Sequence, residues 1–354
     1  RRSDMASIPP ADPLPVAPSF RGERAAVTAG EDLPQRLLRA VELQRGGDFT
    51  AAEAIYRAAL AAFPDHPETC FLLGQLCMRT GRAREGIDLL REASERAPDN
   101  WLFSLELADA CLSDGDAETA ATLYRQVLDR EPASVDALCG LGCALAERGQ
   151  VDDAEGDLRT AVACDPSSGR AAAGLGSILL RAGRWSEAVQ RLEQARSMGH
   201  RNAAALNDLG VALQHLGRHD EAERAWRAAL AIDPGDAPSW MNLGNRLRDE
   251  GDVASARDCY AQVLRIQPTD CLRVRMATLL PPVYASREEM RACRSAYTAQ
   301  LDALLAEPLR ACDPVLEGGH NNFYLCYQGE DDRVLQLKLA QVYRRMYAPR
   351  CREA

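Results

Sequence analysis

His215 and His219 stand four residues apart, the spacing at which two imidazoles on one helical face can ligate a metal. Gly217 lies between them, where a turn is expected, and no third ligand accompanies the pair. A surface turn is the better reading. Cys139 and Cys143 form a C-x-x-x-C pair with no second pair to complete a tetrahedral site. Cys77 and Cys111 fall where helix packs on helix, and a free thiol there behaves as a small hydrophobe. The chain has no P-loop, no dinucleotide fingerprint and no G-x-S-x-G elbow. Carboxylates are plentiful, but none stands apart from a solvated helical face. These residues imply no reaction, no metal and no cofactor bound by this chain.

The totals narrow the remaining classes. An apolar fraction of 46% over 354 residues is enough for a packed core. A net charge of −10 argues against a nucleic-acid partner, which selects a basic surface. Lys338 is the only lysine, so the cations are nearly all arginine. No apolar run approaches the roughly 18 residues of a membrane span, and the N-terminus lacks the apolar stretch of a signal peptide. Twelve cysteines in so long a chain, without an export signal, predict reduced thiols and a cytoplasmic location.

The elements that would position any site come from a repeat. Pro64, Pro98, Pro132 and Pro166 follow one another at intervals of 34, and Pro234 and Pro268 keep the phase. His200, after Gly199, takes the skipped place, where a glycine can end the helix instead. Twenty-four residues before each of these points lies a small residue: Ala40, Gly74, Ala108, Gly142, Gly176, Gly210 and Gly244. Twelve before lies another, such as Ala120, Ala188 or Ala222. A turn glycine separates them in every unit, from Gly47 to Gly251. Seven units run from about Leu33 to Asp270.

Each unit reads as two helices. Leu206, Leu209, Gly210 and Leu213 make an i, i+3, i+4, i+7 stripe. Gly217 breaks it, and Ala222, Ala225, Trp226 and Ala229 make a second stripe that Pro234 stops. Gly210 and Ala222 allow close approach, and Trp226 fills the space beside them. One pair cannot bury both faces, so neighbouring pairs must stack into an all-α solenoid of helical hairpins. The small residue, alanine, aromatic and proline in these places resemble the tetratricopeptide repeat.

That resemblance implies that the first helix of each pair lines an inner groove. At positions 5 and 9 of the 34-residue frame the candidates are Phe71, Gln75, Leu105, Asp109, Ser177, Asn207, Met241 and Asn245. This mixed lining with little net charge suits a protein or extended peptide. No lysine stands there, which argues against the basic carboxylate clamp of chaperone-binding arrays.

The ends differ from the repeats. Residues 1–32 carry IPPADPLPVAP and predict a disordered, proline-rich tail. Residues 271–354 predict a helical cap and connector: CLRVRMATLL as one helix ended by Pro281 and Pro282, a helix capped by Ser286 and Glu289 to about Ala306, and a last helix over roughly Asp332 to Met346. Between the last two stands NNFYLCYQGEDDR, whose Phe323, Tyr324 and Tyr327 could anchor a connector, with His320 just before it as a structural residue.

The order LLPPVYAS, capped helix, NNFYLCYQGEDDRVLQLKLAQVYRRM resembles the segment that joins repeats to catalytic half in bacterial SPINDLY-type, O-GlcNAc transferase-like glycosyltransferases. The resemblance implies an acceptor-recognition region whose transferase half, with UDP-GlcNAc as donor, would follow Ala354. No catalytic or donor-binding residue carries over to this chain, so it should bind without catalysing. Animal relatives hold the acceptor backbone on asparagines at position 6. Here Asn242 matches, Asp208 nearly does, and Leu38, Leu72, Glu106, Gly140 and Gly174 do not. A free-standing repeat scaffold is the alternative.

Overall fold

A computed structural model of the chain describes residues 32–310 and 328–347. Seventeen α-helices and no strand run through the described residues. The proline-rich tail before residue 32 and the places of His320, Phe323, Tyr324 and Tyr327 lie outside them.

Two compact units divide the chain, Arg1–Ala205 and Leu206–Ala354. The first holds α1 (Leu33–Arg45) and α2 (Phe49–Ala62), α3 (Pro67–Arg79) and α4 (Ala83–Arg96), α5 (Trp101–Ser113) and α6 (Ala117–Arg130), α7 (Val135–Glu147) and α8 (Val151–Cys164), and α9 (Gly169–Arg181) and α10 (Trp185–Ser197). The division falls in the first turn of α11 (Ala203–His215). The second unit continues with α12 (His219–Ile232), α13 (Ala237–Glu250), α14 (Val253–Ile266), α15 (Asp270–Ala277), α16 (Arg287–Ala306) and α17 (Arg333–Tyr347).

The helix ends follow the punctuation of the repeat. Each turn glycine from Gly47 to Gly251 takes a positive φ between 74° and 90°, where only glycine is unstrained. Each phased proline stands two residues past a helix end, as Pro64 does after Ala62. Where the proline is missing, α10 stops at Ser197 and Gly199 takes over with φ 81°. His215 closes α11 and His219 opens α12, both exposed, so the pair brackets the expected surface turn.

Small and large residues explain the pairing within each hairpin. A Cβ added at Gly210 would lie 2.4 Å from Trp226 Nε1, and one at Gly142 would lie 2.7 Å from Leu158 Cγ. The large residue stands 16 positions after the small one in both cases. Tyr56, Tyr124, Tyr260 and Trp226 are fully buried in this role. Cys77 and Cys111 are buried and free, as packing residues should be.

Charges lie between repeats as well. Arg82 binds Glu53 at 2.7 Å and Glu85 at 3.2 Å, and Arg57 joins the same two carboxylates. Glu155, Arg159, Arg184 and Glu187, each 102 residues (three repeats) further on, repeat three of these four ion pairs, with Glu155 between the two arginines.

In the second unit the cap closes over Cys271, Val274, Leu280, Tyr297, Leu301 and Leu304, to which α17 adds Leu335, Leu339, Val342 and Met346. Val334 and Leu337 are 58% exposed, on the other face of α17 from these residues. Ser286 caps α16 by accepting from Glu289 N, while Glu289 Oε2 reaches back to Ala285 N. Cys271 is disulfide-bonded and so departs from the expectation of reduced thiols.

Candidate protein-interaction face

The first helices of the hairpins carry the candidate residues. In the first unit α5 packs beside α7 and α7 beside α9, so their outward faces form one surface. Phe71 on α3 stacks on Phe103 with ring centroids 4.6 Å apart. Gln75, Asp109 and Ser177 are half-buried on α3, α5 and α9. Leu105 is only 6% exposed and belongs to the core.

A polar cluster forms at the middle of this face. Glu106, at the position of the asparagine ladder, is half-buried on α5, and Gln75 on α3 acts on its carboxyl. Tyr124 on α6 donates to Asp109 Oδ1 at 2.5 Å. Arg170 on α9 reaches back to Asp136 on α7 at 2.9 Å. Burial pushes the Glu106 carboxyl up, helped by the neighbouring Asp109 charge and opposed by Gln75. Burial also pushes Asp109 up, against the pull of Arg170 and the Tyr124 hydrogen bond. The Cys139 thiol is pushed up to about 12 by burial, and Cys143 moves the same way. Neither thiol is poised as a nucleophile, since the thiolate is the reactive form.

The second unit brings other candidates into contact. Asn242 Nδ2 donates to Asn207 Oδ1 at 2.8 Å, and Ser239 Oγ approaches the same oxygen at 3.4 Å. The Asn207 carbonyl accepts from Trp226 Nε1 at 3.3 Å. Asn245 Oδ1 accepts from Tyr260 at 2.9 Å and from Arg275 Nη1 at 3.2 Å. That same nitrogen lies 3.5 Å from the Met241 sulfur, and the guanidinium sits 6.0 Å from the Tyr260 ring centroid. Burial holds Arg275 below its ordinary value. Asp208 is half-buried on the same helix as Asn207.

Sequence reasoning singled out the inward positions but missed their supports. Tyr124 and Tyr260 each stand 15 residues after the polar side chain they hold, a spacing visible in the sequence once the two helices are paired. Arg275 lies beyond the last full repeat and had no frame to mark it. The assembled groups are amides, carboxyls, a guanidinium and apolar side chains. They can hold another chain by hydrogen bonds and contact, and they include no activated nucleophile.

Two solved structures show the same fold. A tetratricopeptide repeat protein from Parabacteroides merdae is 16% identical over 75% of this chain and 99% of its own, with a TM-score of 0.57. The structure of the APC/C hetero-tetramer Cut9–Hcn1 is 19% identical over 77% of this chain and 52% of its own, with a TM-score of 0.55. MamA is 26% identical over 46% of this chain and 94% of its own, with a TM-score of 0.39. No curated protein matches. A family model described as the cilia and flagella-associated protein 70 C-terminal domain, a tetratricopeptide repeat family, matches residues 19–276. The fold, the seven repeats and a match over more than half of the 354 residues place the chain in the family of the cilia and flagella-associated protein 70 C-terminal domain.

Proposed function

We propose that the chain is a protein-binding scaffold whose first-helix faces hold an extended segment of a partner protein. The observation that carries this reading is the Asn207–Asn242 pair in the second unit. Only the Asn207 oxygen and the Asn242 amide nitrogen are used between them, which leaves the complementary donor and acceptor to meet a peptide backbone. Met241 and, in the first unit, Phe71 supply half-buried apolar contact on the same faces. The absence of lysine from the candidate positions and the net charge of −10 favour a polypeptide over a nucleic acid. None of the described helices is long and apolar enough to cross a membrane.

A finer reading assigns the scaffold to a cytoplasmic, SPINDLY-type O-GlcNAc transferase as its acceptor-recognition part. Its support is the PP-x-Y and N-F-Y-L-x-Y-Q-G resemblance. Two of those residues meet: Gln328 Nε2 donates to the Tyr284 hydroxyl at 2.6 Å. UDP-GlcNAc would then be the donor used by a catalytic half. A free-standing scaffold is the competing reading; the family match over residues 19–276 covers the repeats that both readings share.

Selection of a random 15-residue peptide library on the whole chain tests the binding. Enriched sequences should lose at least tenfold in affinity on the Asn207→Ala, Asn242→Ala double variant. Equal binding by the variant would remove the site from the face described. Sequencing the reading frame downstream of Ala354 separates the two finer readings: alternating strand and helix patterns support the transferase, and an immediate stop supports the scaffold.

A further inference from the structure

Glu106 and Asp109 stand one turn apart on α5, both half-buried and both on the first-helix face. Groups from four neighbouring helices bear on their charge. Gln75 on α3 acts on Glu106, and Tyr124 on α6 donates to Asp109 Oδ1 at 2.5 Å. Asp136, Cys139 and Cys143 come from α7, and Arg170 from α9. The one cation in this set, Arg170, is hydrogen-bonded to Asp136 and acts on Asp109 from beyond contact. The two thiols and the phenol are all pushed up by burial, so they keep their protons through the acid and neutral range.

Asp136 is paired with Arg170, which leaves Glu106 and Asp109 as the carboxyls of this cluster with no cation in contact. When both are ionised, each opposes the other and burial opposes both. Releasing α5 to water relieves the two costs together. When one carboxyl holds a proton, the repulsion disappears and packing costs less. We propose that Glu106 and Asp109 form a proton-operated latch in the first unit, tight while the pair holds a proton and looser when both carboxyls are ionised. Any effect on partner binding rests on the binding reading above; the latch itself does not.

The sign follows from linkage. Carboxyls raised in the folded state bind more protons there than in the opened state. Their stabilising contribution is complete below the ordinary carboxylate value of about 4. It is lost as the pH climbs to the folded value, by up to about tenfold per pH unit for each linked proton.

Carboxyl-carbon NMR titration of the full chain, with Glu and Asp labelled, tests the proposal. Signals are assigned with Glu106→Gln and Asp109→Asn. At least one of the two midpoints should lie above the ordinary carboxylate range. Hydrogen exchange of the α5 and α7 amides, corrected for intrinsic rates, should quicken by up to about tenfold per pH unit through that midpoint. The double variant should lack this step. Tyr124→Phe provides a further readout, because losing its hydrogen bond should move the Asp109 midpoint higher still. Two ordinary midpoints, or an unchanged exchange profile in the variants, would overturn the latch. These readouts need no ligand, so they stand or fall separately from peptide binding.

Discussion

Tyr124 donates to Asp109 just as Tyr260 donates to Asn245, four repeats further along the chain. In both cases the large residue that fills the space inside a hairpin reaches through it to a polar side chain on the first-helix face. A buried phenol needs an acceptor, and position 9 supplies it. Tyr56 meets the same need through Gln44, at 3.2 Å. Where the large residue is Leu90, Leu158 or Leu192, position 9 is Gln75, Cys143 or Ser177 and has no phenol to satisfy. Part of the polarity of this face is therefore set from behind.

Removing either hydroxyl should separate support from packing. Tyr124→Phe and Tyr260→Phe keep the ring and leave Asp109 and Asn245 without that donor. Each should lower stability by about 1–2 kcal/mol. The shift should appear in the urea midpoint of each variant with an unchanged slope. A neutral result for both would mean that water satisfies these groups as well as tyrosine does.

Glycine to alanine should have opposite signs at two places. At Gly210 the new methyl meets the Trp226 ring, which is buried and cannot withdraw. Gly210→Ala should cost about 1–3 kcal/mol. Gly156 is exposed in the middle of α8, with nothing within 4 Å of an added Cβ. Gly156→Ala should stabilise by about 0.5–1 kcal/mol through helix propensity alone. Thermal melts of the two variants should move in opposite directions from the parent.

That contrast marks what the sequence could carry. A 34-residue period, its glycines and its prolines specify local backbone and nearest-neighbour packing, and these follow from residue types at fixed spacing. Gly210 and Trp226 were readable as partners because they sit within one hairpin. Glu106 was readable only as a mismatch at an asparagine position, since its burial depends on α3 and α7. Tyr284 and Gln328 lie 44 residues apart with no period to relate them, so their hydrogen bond was hidden. Which apolar residues of α17 are covered was not legible, because apolarity alone does not say which face of an isolated helix is packed: Leu335 and Leu339 are buried, Val334 and Leu337 exposed.

Acid should weaken the inter-repeat charges while it favours the α5 pair. The hydrogen bond from Arg82 holds Glu53 below the ordinary carboxylate range, with Arg57 adding to it, and Arg57 does the same for Glu85. Groups depressed in this way stabilise above their unfolded value and lose that contribution as the pH falls through the folded value. The network is partly exposed, so each pair contributes below about 1 kcal/mol. Glu53→Gln should flatten the loss of stability on the acid limb, below the ordinary carboxylate value of about 4. Glu106→Gln should leave that limb unchanged and act on the limb above it. Equal profiles for the two variants would show that their environments do not differ as described.

The cap offers the sharpest test of a single polar atom. Arg294 ties α16 to the approach of α17 by donating to Gln328 Oε1 at 2.7 Å, Asp332 Oδ1 at 2.6 Å and the Asp331 carbonyl at 3.0 Å. Its side chain is mostly buried, so truncation strands Asp332, and Arg294→Ala should cost about 3 kcal/mol or more. One turn further along α16, the Tyr297 hydroxyl is buried with no hydrogen-bond partner. Its removal deletes an unmet polar group without opening a cavity of consequence. Tyr297→Phe should therefore stabilise the cap by about 1 kcal/mol, where most core substitutions destabilise. Hydrogen exchange in α17 reads both effects: faster with Arg294→Ala, slower with Tyr297→Phe. Faster exchange in the phenylalanine variant would mean that the hydroxyl is bound after all, and that the cap packs differently around α16.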